Sequence, residues 1–300
     1  MKFVVTGGAG FIGSHIVKHL LNKKNQVTVI DNFSKGRLEN LTGFEEQIDL
    51  QKLDILDFNS LKNTISDSDG VFHQAALTSV PESFIQKEKY HSVNVTGTEN
   101  IFKIAKEYSI KVVYASSSSV YGDTTSIPIQ ENFERKPINP YGITKLDDEK
   151  LAEKYHDLGV AIIGLRYFNV YGIGQTSDYA GVITKFHNNI QANNPPIILG
   201  DGSQVRDFIS VEDVAKANLL SMQSATDFSF LNIGTGIPTS IKELANLMIK
   251  LSGKSLSTKF DELPQGDIKE SQADANLAKK TINWSYETGL ENGLKHFFFS

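Results

Sequence analysis

Tyr141 and Lys145 stand four residues apart, directly after Asn139-Pro140. Asparagine is a good helix N-cap and proline suits the first helical position, so a helix starts here with the phenol and the ammonium on one face. A free phenol loses its proton near pH 10, too high for a base at neutral pH. A neighbouring ammonium favours the phenolate, which makes Tyr141 a candidate for exchanging a proton with a substrate hydroxyl. Upstream, Ala115-Ser116-Ser117-Ser118-Ser119-Val120-Tyr121-Gly122 ends an apolar run. Hydroxyls at the end of a strand can hydrogen-bond the same reacting oxygen. A Tyr–Lys pair of this spacing is common on exposed helix faces, so its meaning comes from what surrounds it.

Near the start lies a glycine-rich turn, Thr6-Gly7-Gly8-Ala9-Gly10-Phe11-Ile12-Gly13. Gly8, Gly10 and Gly13 form a G-x-G-x-x-G set, and Gly7, Gly10 and Gly13 repeat every three residues. Between a strand and a helix, such glycines allow a tight turn and the close approach of a pyrophosphate to the backbone. The helix start then offers free N–H groups to the phosphates. Asp31 ends the second apolar run, 18 positions after Gly13. A carboxylate there accepts ribose hydroxyls and repels a 2′-phosphate, which favours NAD over NADP, although Lys35 and Arg37 follow closely. Asp54-Ile55 ends the third run, where an adenine edge would lie; the pair reads equally as a turn.

These residues require a scaffold. Short apolar runs at 3–6, 27–30, 50–53, 70–73 and 111–115 alternate with helical stretches such as Val93 to Tyr108, and a strand from Ala161 to Val170 follows the helix that Gly159 stops. The alternation predicts an α/β fold, a doubly wound parallel (Rossmann) sheet, with a smaller α/β C-terminal lobe for substrate. The expected boundaries are 1–168 for the dinucleotide lobe, with 207–233 returning to it, and 169–206 plus 234–300 for the second lobe. The 300 residues are 40% apolar, enough for a sizeable core. A net charge of −5 gives no support to nucleic-acid binding. The absence of cysteine excludes disulfides, thiolate metal sites and thiol nucleophiles. The seven histidines show no metal-ligand spacing beyond His15–His19, which reads as packing, so no metal is expected. With no apolar run of membrane-spanning length and no leader pattern, the expected location is the cytoplasm.

Several further segments join the motifs above: His73-Gln74-Ala75-Ala76, Asn94-Val95-Thr96-Gly97-Thr98, Arg166-Tyr167-Phe168-Asn169, Gly200-Asp201-Gly202 and Arg206-Asp207-Phe208. With Thr6 to Gly13, Asp31-Asn32, Asp54-Ile55, the serine run with Val120-Tyr121-Gly122, and Tyr141 to Lys145, they make the chain resemble the extended short-chain dehydrogenase/reductases that act on nucleotide sugars. The nearest type is the UDP-glucose 4-epimerases. The likeness covers most of the chain and is specific as a set.

It implies an NAD-dependent isomerase that inverts C4 of a UDP-hexose (UDP-glucose or UDP-galactose) through a transient 4-keto sugar. Ser117 and Tyr141 would act on the sugar 4-hydroxyl, and Lys145 would also bind the nicotinamide ribose. Gly7, Gly10, Phe11, Ile12, Gly13, Asp31, Asn32, Asp54, Ile55, Ala75 and Asn94 would hold NAD. Asn169 and Arg206 would grip the substrate diphosphate. The chain has four arginines, Arg37, Arg135, Arg166 and Arg206, and a planar guanidinium suits a pyrophosphate. Arg166, inside a strand, reads as structural. Ser118 and Ser119 stand where the dehydratase branch carries Asp and Glu, which disfavours loss of water. Ser271 occupies the family's gate near the sugar C2 substituent, and its small side chain leaves room for N-acetylated forms. One position departs: Pro264 stands where the family commonly has an arginine on the diphosphate. A UDP-hexuronate epimerase or decarboxylase, and a non-catalytic NAD-binding protein, are the alternatives. The resemblance also implies a homodimer through a four-helix bundle.

Overall fold

The structure is a computed structural model and describes residues 1–124, 126–175, 181–262 and 268–299. In chain order its elements are β1 (Lys2–Thr6), α1 (Phe11–Asn22), β2 (Gln26–Ile30), β3 (Ile48–Gln51), α2 (Phe58–Ile65), β4 (Gly70–His73), α3 (Val80–Ile85), α4 (Lys87–Tyr90), α5 (Gly97–Tyr108) and β5 (Lys111–Ser117). There follow α6 (Pro140–Asp157), β6 (Ile162–Tyr167), β7 (Asn169–Tyr171), α7 (Val182–Gln191), β8 (Ile197–Leu199), β9 (Val205–Ser210) and α8 (Val211–Gln223). The last are β10 (Phe228–Ile233), β11 (Pro238–Ser240), α9 (Ile241–Ser252), β12 (Lys259–Asp261), α10 (Asn276–Ile282) and α11 (Leu290–Phe299).

Seven strands pair in the order β3-β2-β1-β4-β5-β6-β10, all parallel. Strands β4 and β6 are buried along their whole length, as the continuous apolar runs of a sheet covered on both faces should be. One face packs Ile16, Val17 and Leu20 of α1 against Val214 and Ala217 of α8. The other packs Leu61 of α2, Phe102 of α5 and Tyr155 of α6. The strand order reverses between β1 and β4, and the crevice beyond their carboxyl ends is where such sheets take ligands. Among the described residues no helix is long and apolar enough to cross a membrane.

Three segments differ from the sequence-based expectation. The apolar stretch 161–170 is two strands in two sheets. Phe168 donates its N–H to Ile233 O at 3.0 Å and buries its ring with Val120, Tyr121 and Ile129, which turns the chain out of the main sheet. β7 then pairs with β9, and β9 with β11, in a three-stranded sheet of the second lobe. The stretch 276–284 was expected in that lobe but packs on the first: Ala278, Ile282 and Trp284 join the core under α1 and α8, and Trp284 Nε1 donates to Asp213 O at 3.0 Å. The helix expected from Val93 is preceded by a π-helical turn, His91–Thr96. At the C-terminus, Phe297 and Phe298 close the second-lobe core against His187.

Candidate active site

The glycine turn between β1 and α1 leaves no room for side chains. Gly7 has φ +66°, and a Cβ there would lie 2.7 Å from Ala75 N. A Cβ on Gly13 would come within 2.1 Å of Gly7 O, so the first turn of α1 lies directly on the loop. Gly10 caps α1 with no side-chain hydrogen bond, which leaves the first amides of the helix for a ligand. Beside this turn opens a cleft lined by Gly7, Gly10, Asp31, Asn32, Ile55 and Ala75. Asp31 accepts from Ala9 N at 3.1 Å and Phe33 N at 2.9 Å. Burial raises its proton affinity and those two amides oppose the rise. A Cβ on Gly36 would strike the Asp31 carboxylate at 2.6 Å, so glycine lets the following loop fold over the acid. Lys35, which lines the cavity, lies 3.7 Å from Glu82, which draws part of its charge away from the ribose position. A dinucleotide fits this donor set: uncapped helix amides for the diphosphate and an acid for ribose hydroxyls.

Two residues expected on the cofactor stand one step back. Asp54 accepts from Asn32 Nδ2 and Leu56 N, both at 2.9 Å, and so props Asn32. Asn94 is fully buried; its amide bonds Leu77 N, Leu77 O and Thr144 Oγ1, which holds the loop after β4 rather than lining the cavity.

A second cavity shares Gly7, Gly10, Lys35, Gln74 and Ala76 with the first and adds Phe11, Ile12, Gly13, Ser117, Tyr141 and Lys145. Helix α6 positions the last two. Its cap is the expected one: Asn139 Oδ1 accepts from Gly142 N at 2.8 Å, with Pro140 in the first turn. Ser117 ends β5 and its Oγ accepts from Ser119 N at 3.1 Å. Beneath it Arg166 is 1% exposed and forks onto Glu149, Nε to Oε1 and Nη2 to Oε2, each at 2.8 Å. Ser116 Oγ donates to the same carboxylate at 2.6 Å, so Arg166 fixes the strand end that carries Ser117. Gln74, Thr78, Tyr167 and Gln175 also line this cavity. Sequence reasoning assigned them no role. Gln74 was visible inside the quoted His73-Ala76 motif, and Tyr167 beside Asn169.

The third cavity lies in the second lobe. It holds Asn169 and Arg206 together with Lys185, Gln204 and Asp261, and it meets the second cavity at Phe168-Asn169-Val170. Asn169 Nδ2 donates to Asp207 O at 3.4 Å, and Arg206 Nη1 to Val205 O at 2.8 Å. Ser271 is buried beside β9, its N–H on Val205 O at 3.1 Å, and lines neither substrate-side cavity. Pro264, Gly266 and Asp267 lie outside the described residues.

The chain is similar to known proteins over nearly its whole length. A model of the NAD dependent epimerase/dehydratase family matches residues 3–234. The UDP-N-acetylglucosamine 4-epimerase of Methanobrevibacter ruminantium M1, solved with UDP-N-acetylmuramic acid, is 38% identical with a TM-score of 0.94, covering 99% of this chain and 96% of that one. The UDP-glucose 4-epimerase of Thermotoga maritima, solved with UDP-glucose, is 34% identical with a TM-score of 0.94, covering 98% and 96%. The UDP-glucuronic acid 4-epimerase of Bacillus cereus, solved with UDP-glucuronic acid and NAD, is 31% identical with a TM-score of 0.93, covering 99% and 98%. A chain matched from its first strand through its last core strand, and alike from end to end to solved epimerases, belongs to the NAD dependent epimerase/dehydratase family.

Proposed function

We propose that the protein is an NAD-dependent 4-epimerase of a UDP-hexose, taking UDP-glucose and UDP-galactose; support for their N-acetylated forms comes from the 38% identical UDP-N-acetylglucosamine 4-epimerase, not from Ser271. The observation that carries this reading is one cavity that gathers Ser117, Tyr141 and Lys145 against the glycine turn. NAD, when bound, supplies the hydride acceptor and donor for the sugar C4. The turn at Gly7–Gly13 and Asp31 hold its diphosphate and ribose. Tyr141 takes the proton from the 4-hydroxyl and later returns one to the 4-oxygen, with Ser117 hydrogen-bonded to that oxygen. Inversion requires the 4-keto sugar to present its other face while its nucleotide stays fixed. Asn169 and Arg206, in the adjoining cavity, provide that anchor.

The hexuronate alternative has support from the Bacillus cereus relative. A substrate carboxylate would want an arginine or a cluster of hydroxyls near C6; among the described residues no arginine lines the cavity that holds Tyr141, whereas Thr78, Ser116, Ser117 and Tyr167 do, so the hexuronate stands as the second reading. Incubation with UDP-galactose or UDP-N-acetylgalactosamine, without added reductant, should give the gluco product; no conversion of either by NAD-loaded protein would sink this reading. The homodimer through α5 and α6 is proposed with it. These helices pack against each other, with Tyr155 Oη donating to Glu99 at 3.3 Å, and Ile143 of α6 is exposed. Light scattering that reports a monomer overturns the dimer.

A further inference from the structure

Lys145 has a partner that the proposed mechanism does not use. Its Nζ lies 3.1 Å from Asp148 Oδ2, one turn along α6, and the two side chains are 4% and 0% exposed. Asp148 Oδ1 is buried with no hydrogen-bond partner. A buried pair with one oxygen unsatisfied contributes little net stability, because desolvation offsets the Coulomb attraction. Inside the protein, however, such a close carboxylate strongly weakens the field that Lys145 exerts on anything else. Among the described residues the other cation lining the cavity of Tyr141 is Lys35, which is drawn toward Glu82 at 3.7 Å. On α6 the nearby acid is Asp147; on β5 stands Tyr114, whose phenol burial and the neighbouring acids push up; on α5 stands the Thr98 hydroxyl. On β4, His73 is tied by Nδ1 to Thr6 Oγ1 at 2.7 Å and by Nε2 to Thr98 Oγ1 at 2.9 Å, and burial and Lys145 keep it neutral down to about 3.

From this geometry we infer that Asp148 is a positioning residue for the reaction: it holds the Lys145 ammonium and competes with Tyr141 for its charge. The inference rests on the proton-transfer role proposed for Tyr141. When Asp148 is ionised, Lys145 favours the phenolate weakly. When Asp148 takes a proton, the whole ammonium charge acts on Tyr141. The net charge is the same with one proton on Tyr141 or on Asp148, so the site shifts between the two forms without a further ion. Burial pushes Asp148 up to about 7, against the opposing pull of Lys145 and Thr98, which brings the competition into the working pH range.

The test is Asp148→Asn in the full chain, which keeps the shape and removes the charge. The acid limb of kcat/KM against pH should move down by about 1 unit, the low end for one neighbouring charge. The phenolate absorbance of Tyr141 should move with it, read as the protein minus Tyr141→Phe, and as Asp148→Asn minus the double variant. If both titrations stay where they are, Asp148 is merely structural and the inference fails. Should Asp148→Asn not fold, Asp148→Ser is read in the same two ways. A wild-type protein that binds NAD but epimerises nothing sinks the functional reading, while the phenolate titration still decides the role of Asp148.

Discussion

In the proposed reaction, proton transfer at the sugar 4-oxygen depends on the Tyr141 phenol. Tyr141→Phe keeps the ring, its packing and the helix start, and removes only the group that exchanges the proton. Turnover should fall by about 10²–10⁴-fold, the usual range for a lost general base, while NAD released from the denatured variant stays at the wild-type amount. Full activity in this variant would remove Tyr141 from the mechanism. Glu149 shows the opposite kind of residue, one that never meets substrate. It is fully buried and accepts from Arg166 twice, from Ser116 and from Arg135. Glu149→Gln leaves the Arg166 guanidinium buried without its counter-charge. Removal of one member of such a pair costs about 3–5 kcal/mol, so urea unfolding should show a loss of that order, with the Ser117 strand end loosened as well.

Elements carry these groups, and their legibility follows from how local their causes are. The start of α6 was readable because Asn139 and Pro140 act on their own helix. The glycine turn was readable because only glycine tolerates the contacts at Gly7 and Gly13. The break at Phe168 was not, since its cause is the distant Ile233 carbonyl and a ring pocket built from three other segments. Asp148 was equally silent: its meaning lies in burial, which one acid among three in Asp147-Asp148-Glu149 does not announce. The His15–His19 pair, read as packing, joins α1 to α8. Both rings hold Glu212, at 2.9 Å and 2.6 Å, and the hydrogen bonds from His15 and then His19 keep that carboxyl well below its ordinary 4.5. A depressed carboxylate stabilises the fold above its ordinary range and loses that contribution as pH falls. Glu212→Gln should therefore lower stability near pH 6, read from urea unfolding, by about 1 kcal/mol or less since Glu212 is 42% exposed, and the gap should close as pH drops below 4.5. A gap that persists in acid would rule out the charge as its source.

Across the molecule, the proposed dinucleotide cradle and the proposed diphosphate anchor hang on different sheets. Gly7, Gly10 and Asp31 border strands of the seven-stranded sheet, whereas Arg206 sits on β9 of the small sheet and Asn169 on β7 beside it. Phe168-Asn169-Val170 is the joint, with Phe168 and Val170 facing the cavity of Tyr141 and Asn169 facing that of Arg206. Two ligands held by separate lobes should be separable by mutation. Arg206→Ala removes the permanent charge from the anchor cavity and leaves the cradle untouched. A hydrogen bond from a charged group contributes about 1.5–3 kcal/mol, so UDP should bind this variant roughly 10–100-fold more weakly in calorimetry, with bound NAD unchanged. Because the anchor must hold through the turning of the 4-keto sugar, kcat should fall along with the rise in KM. Loss of NAD together with UDP would mean that the two lobes bind as one unit, and unaltered UDP affinity would move the anchor away from Arg206.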